Sequence, residues 1–241
     1  MLIPKSLCFS RENAGFSILE LAIVMLIVAT LLGGLLVSIS STQELNNRID
    51  AQDTLEEIRE ALYGFAQANG YLPCPATAAT AGVEAPVGGG ICTQRFGFVP
   101  WSTLGLSGPL NTDNLLMDSW LNPYRYSVTN QNASAFTTPG AMSTIGMAAL
   151  APDLQICDAA GCGTILFDSA PAVILSMGAD WSTFTSADEV ENAEGTTAGY
   201  RQATDIEFVT TGYIEDTFDD IVNWLSPSIL YTKMIAAGQL P

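Results

Sequence analysis

From Leu21 to Val37 the chain reads LAIVMLIVATLLGGLLV, seventeen residues without a charged side chain. With Phe16 to Leu19 ahead of it the run is long enough to cross a bilayer as one helix, which takes about 20 apolar residues. A secretory signal carries its apolar region before a small-x-small cleavage site. Here a short polar leader, residues 1–15 with Lys5 and Arg11, comes first and the apolar run follows. Basic residues in the leader predict that the N-terminus stays cytoplasmic and the rest is exported. An uncleaved signal anchor has the same hydropathy, so hydropathy alone leaves both readings open. Glu20 separates them, because an ionisable group in an apolar run is costly and marks a functional partner.

The residues around it, Gly15-Phe16-Ser17-Ile18-Leu19-Glu20, resemble the type IV prepilin signature. That signature places glycine before the cut, an aromatic residue first in the mature chain and glutamate fifth. The resemblance implies that prepilin peptidase cuts between Gly15 and Phe16 and methylates the new amine. It also implies that Glu20 neutralises the N-terminal ammonium of a neighbouring subunit during assembly. A paired carboxylate in lipid is far cheaper than a lone one.

After Val37 the chain turns polar without a helix breaker. Leu45, Ile49, Leu55, Ile58, Leu62 and Phe65 recur at near-helical spacing, with Glu44, Asp50, Asp53, Glu56, Glu57 and Glu60 between them. Asn69-Gly70 is a C-terminal stop, with Pro73 and Pro75 close behind. One helix from Phe16 to about Asn69 is therefore expected, with Gly33-Gly34 its soft point. The chain divides into a leader (1–15), a transmembrane helix half (16–38), an amphipathic half (39–70) and an exported globular domain (71–241).

Charge excludes several functions. The 25 acidic and 8 basic side chains give a net charge of −17, and there is no histidine. A nucleic-acid partner requires a basic stripe that these few cations do not form. Without histidine there is no imidazole acid/base catalysis and no imidazole metal site. No phosphate-cradling glycine loop or nucleophile elbow is found, and carboxylate pairs such as Asp219-Asp220 do not make an active site by themselves. The chain is expected not to be an enzyme.

Cys8 falls in the leader, which leaves Cys74, Cys92, Cys157 and Cys162. An even count in a periplasmic domain favours two disulfides. Cys74–Cys92 around the Gly- and Ala-rich loop and Cys157–Cys162 around a small one are the favoured pairs, with the other pairings open. Beyond residue 90 the signals are β-like. Tyr124–Thr129, Thr164–Asp168, Ala172–Ser176 and Ile206–Thr210 read as strands. Asp219–Leu225, ended by Ser226-Pro227, reads as a short helix, with Asp219 and Asp220 as first-turn acids capped by Thr217. The fold class expected is α+β, a long N-terminal helix laid on an antiparallel sheet.

Two further segments resemble the major pseudopilins of type II secretion. Asp118-Ser-Trp120-Leu-Asn122-Pro123-Tyr124-Arg-Tyr126 is similar to their Asp-x-Trp-x-Asn-Pro-Tyr-x-Tyr motif, though Leu121 stands where they usually have glycine. Ser176-Met-Gly178-Ala179-Asp180 is similar to their Ser-Leu-Gly-Ala-Asp turn, and Asp205-Ile206 to the Asp-Ile after their acidic loop. In that family the loop binds calcium. The resemblance points to Asp180, Asp188, Glu191 and Asp205 as calcium ligands, hard oxygens being what calcium requires. Other acids there are Glu189 and Glu194; the spacing is not that of an EF-hand, and a solvated acidic loop is the alternative.

The leading expectation is a structural subunit of a pilin-like filament, a type II secretion pseudopilus or a type IV pilus. It would be a single-pass inner-membrane protein whose partners are other pilins or pseudopilins, prepilin peptidase and the inner-membrane assembly platform. The alternative is a binding module or adhesin at a filament tip, enlarged by residues 74–117 and 207–241. Trp101, Trp181 and Trp224 would be its glycan-stacking candidates if exposed and core residues if not.

Overall fold

The computed structural model describes residues 17–181, 186–193, 206–214 and 217–241, and gives the backbone alone for residues 32–41. Gly15, Phe16, Glu194 and Asp205 lie outside the described residues. The chain forms two compact units, residues 1–46 and 47–241.

Helix α1 runs from Ile18 to Asn69 without a break at Gly33-Gly34. It starts with a capping box. The Glu20 amide donates to Ser17 Oγ at 3.3 Å, and the Ser17 amide donates back to Glu20 Oε2 at 3.4 Å. In the first unit, ten large apolar residues between Ile18 and Leu31 are 43–90% exposed. Ile23 to Val28 are six of them in succession, so the exposed apolar surface goes all the way round the helix. Among the described residues no helix is long and apolar enough to cross a membrane. The apolar run itself continues to Val37, into the part of α1 whose side chains are not described.

In the second unit the elements that follow are β1 (Phe96–Phe98), α2 (Trp101–Leu104), β2 (Arg125–Val128), α3 (Gln131–Ser134) and α4 (Ala141–Ile145). Then come β3 (Leu154–Cys157), β4 (Ile165–Ala170), β5 (Ala172–Ser176), α5 (Ala187–Ala193), β6 (Glu207–Val209), β7 (Ile221–Trp224) and α6 (Pro227–Ala236). The unit is α+β. An antiparallel four-stranded sheet has the order β1-β2-β5-β7, and a three-stranded sheet β4-β3-β6 includes one parallel pair, β3 with β6.

Alternation along β5 builds two cores. Ala172 and Ile174 join Tyr126 and Val128 of β2 against the α1 side chains Leu55, Ile58, Leu62, Tyr63 and Ala66. Val173 and Leu175 point the other way, onto Leu154, Ile156 and Phe208 of the second sheet. The central sheet is thus covered by helix on one face and sheet on the other. Leu230, Met234 and Leu240 extend the first core from α6 and the C-terminal segment.

Strands β2, β4, β5 and β6 fall on the aromatic, β-branched and apolar runs expected to form them. The buried stripe of α1 differs from the expected one: Leu45 and Ile49 are exposed, Phe65 is half-buried, and Ala51, Tyr63 and Ala66 take their place. Asp219–Leu225 is not a helix. Its Ile221–Trp224 portion is β7, an edge strand paired with β5 in the register Ile174↔Asn223, and α6 begins only at Pro227. Alignment along the free edge of β5 outweighs a short helical pattern. Asp219 and Asp220 therefore precede a strand, and Thr217 caps no helix there.

Both favoured disulfides are present, Cys74–Cys92 and Cys157–Cys162. The first closes a loop organised on buried Glu84, which accepts hydrogen bonds from Tyr71 Oη at 3.3 Å and from the amides of Cys74 at 3.2 Å and Gly88 at 3.0 Å. Burial, with Glu84 beside it, pushes the Tyr71 hydroxyl up to about 12.

Candidate metal centre

The two pseudopilin-like segments, 118–126 and 176–180, meet in one hydrogen-bond network. Asp118 Oδ1 accepts from the amides of Trp120 at 3.0 Å and Asn122 at 2.8 Å, closing a tight turn. Its other oxygen accepts from Ser176 Oγ at 2.5 Å, and Asn122 Nδ2 donates to the Gly178 carbonyl at 2.6 Å. Burial raises the Asp118 carboxyl above its ordinary value, and these hydrogen bonds hold it down in part. Leu121 has φ +68° in this turn, the left-handed conformation that glycine adopts freely.

That network fixes the turn after β5. Gly178 has φ +61°, and a Cβ there would lie 1.9 Å from Asp219 Oδ1, so only glycine fits. The Ala179 amide donates to Asp219 Oδ2 at 2.6 Å. Asp180 follows, and Glu189 reaches the same place from α5. Glu189 is held by a second capping box, its amide donating to Ser186 Oγ at 3.2 Å and its carboxylate accepting from the Ser186 amide at 3.3 Å.

Asp180, Glu189 and Asp219 each bring a carboxylate oxygen to within 4.8 Å of the others. Two opposite ligands on one calcium lie about 4.6–5.2 Å apart, so the three fit a single calcium ion. Burial, then the charges of Asp219 and Glu189, raise Asp180 from 3.8 to about 7. Asp180 is hydrogen-bonded to Asp219, an arrangement that holds a proton between them. Burial raises Asp219 as well, against the Ala179 amide, and lifts buried Asp220 well above the ordinary range. Asp220 accepts from Asn192 Nδ2 at 2.8 Å, and Asn192 also clamps the Val209 backbone, tying α5 to β6 and the start of β7.

Of the expected ligands, only Asp180 belongs to this cluster. Asp188 accepts from the Ala160 amide at 2.7 Å, beside the Cys157–Cys162 loop. Glu191 is half-buried on α5 and outside the cluster, and Asp205 lies outside the described residues. The other two members, Glu189 and Asp219, are not among the ligands the resemblance points to. The Ser186-x-x-Glu189 pattern marks Glu189 as a fixed carboxylate, whereas Asp219 was lost to the mistaken helix.

Trp101, Trp181 and Trp224 are half-buried and pack on the two cores, so they do not form exposed stacking platforms. No protein-family model, curated protein or solved structure matches the chain.

Proposed function

We propose that the chain is a structural subunit of a pilin-like filament, anchored in the inner membrane by the first half of α1 with its second unit outside. The observation that carries this reading is the Ile18–Leu31 stretch, apolar and exposed on every side. A helix that is apolar all round is covered by lipid or by other helices, and a filament core of such helices supplies both environments in turn. The prepilin-like Gly15-Phe16 junction and Glu20 support it.

The test is co-expression with prepilin peptidase, read by intact mass. The chain should lose its fifteen leader residues; a chain left uncut at Gly15 sinks the reading. Glu20 has two roles to separate, capping and charge pairing. Glutamine serves in a capping box as well as glutamate does but carries no charge. Glu20→Gln should keep the helix and the folded second unit while abolishing incorporation into filaments. Normal incorporation would remove the pairing mechanism.

The Asp180–Glu189–Asp219 geometry favours a calcium ion as part of the same subunit. It would join α5 to the turn after β5 and the start of β7. Calcium at a hundredfold over its Kd stabilises the fold by about 2.7 kcal/mol, which raises Tm by about 5–10 °C in a chain this size. Asp219→Asn should abolish both the calorimetric binding signal and the rise; a wild-type chain that shows neither has no calcium site.

A further inference from the structure

A half-open cavity of about 200 Å³ lies apart from the acidic cluster. Three segments wall it: residues 91–95 at the end of the Cys74–Cys92 loop, Val128 to Asn130 at the end of β2, and Ser134 with Thr137 around α3. Among the described residues no carboxylate side chain lines this cavity. Its one charged side chain, Arg95, is neutralised by an ion pair with Asp153, and its Nε donates to the Val128 carbonyl at 3.2 Å.

Hydrogen-bonding groups remain. Among the described residues, the side chains of Thr93, Asn130 and Ser134 form no hydrogen bond, and all three line the cavity. Ser134 is only 8% exposed. It is brought to the cavity by an unusual turn in which Asn132, Ala133 and Ser134 have φ of 53°, 56° and 62°. Three successive non-glycine residues in the left-handed region are costly, and such strain clusters at ligand sites. The wall is also latched: Thr137 Oγ1 donates to the Gly90 carbonyl and the Gly90 amide donates to the Thr137 carbonyl, both at 2.7 Å. A rigid wall loses little freedom on binding.

We propose that this cavity binds a small neutral polyhydroxylated ligand of about one sugar ring. Drug-sized ligands need about 300–1,000 Å³, more than it offers. Hydroxyls and an amide that both donate and accept match a polyol. Among the described residues a cation finds no carboxylate in the lining, and an anion finds Arg95 already neutralised in a chain of net charge −17. The inference does not depend on the filament reading.

The test is saturation-transfer NMR on the full chain in detergent, with D-glucose, D-galactose, D-mannose and N-acetyl-D-glucosamine as probes and D-glucuronate as the charged counterpart of glucose. At least one neutral sugar should bind saturably and the glucuronate should not. Asn130→Ala and Ser134→Ala should each weaken binding about 3- to 10-fold, the loss of one hydrogen bond. Thr93 is exposed, so Thr93→Tyr should block the mouth without unfolding the chain, as an unchanged Tm would verify. The proposal is overturned if no neutral sugar binds, if glucuronate binds as well as glucose, or if Thr93→Tyr leaves binding intact.

Discussion

Leu121 shows how one backbone angle links sequence to site. It occupies a left-handed position in the turn that Asp118 closes, and the residue is 71% exposed. Nothing in the core depends on that side chain, while its conformation costs about 1–2 kcal/mol relative to a right-handed one. Leu121→Gly should therefore stabilise the chain by about 0.5–1 kcal/mol, after allowing for the greater freedom of glycine when unfolded. Chemical denaturation would measure it, and a loss of stability would show that the turn does not impose this angle. The departure from the glycine of the pseudopilin motif was visible in the sequence; its energetic meaning needed φ. Glu20 teaches the same lesson. Its place in an apolar run drew attention, but the Ser17-x-x-Glu20 capping pattern gives the same residue a local structural role.

At the scale of elements, α1 is the part most legible in advance. The apolar periodicity placed Leu55, Ile58 and Leu62 against a sheet, and all three are fully buried. Leu62→Ala should cost about 2–5 kcal/mol by transfer and cavity terms together, measurable as a lower denaturation midpoint with unchanged slope. A cost below 1 kcal/mol, where exposed sites fall, would mean that the helix does not pack on the sheet as described. The stripe was drawn too far toward the N-terminus because Leu45 and Ile49 match the period without having a partner to cover them. Strands β2 and β5 were readable from runs of β-branched and aromatic residues. β7 was not, since IVNW carries no clear alternation and becomes a strand only because β5 offers it a free edge. That error concealed Asp219, and with it one third of the carboxylate cluster.

For the molecule as a whole, the acidity is placed unevenly along the chain. Eleven of the 25 acidic side chains lie between Asp180 and Asp220, and three of those eleven, Asp180, Glu189 and Asp219, form the cluster. Asp180 has its folded value raised from 3.8 to about 7, chiefly by burial. The folded state then binds more protons than the unfolded one across that window, so this group's contribution to stability falls as pH rises from 3.8 to about 7. A bound calcium ion would displace the shared proton and is expected to offset the trend. Thermal unfolding across that window in chelator should show Tm falling more steeply for the wild type than for Asp180→Asn, and saturating calcium should flatten the wild-type curve. Identical slopes for the two chains would mean that Asp180 is not perturbed. By itself, the sequence determined the features that are local and periodic. These are the apolar run with Glu20 in it, the amphipathic continuation of that helix, the apolar and β-branched strand runs, the cysteine count, and the exclusion of basic and histidine-based chemistry. Only the tertiary structure decided which acids meet, which edge recruits β7, and that Asp118 and Asn122 hold the turn bearing Gly178. Those outcomes depend on contacts between residues tens of positions apart, and burial and distance there are set by how the sheets and helix pack rather than by any local pattern.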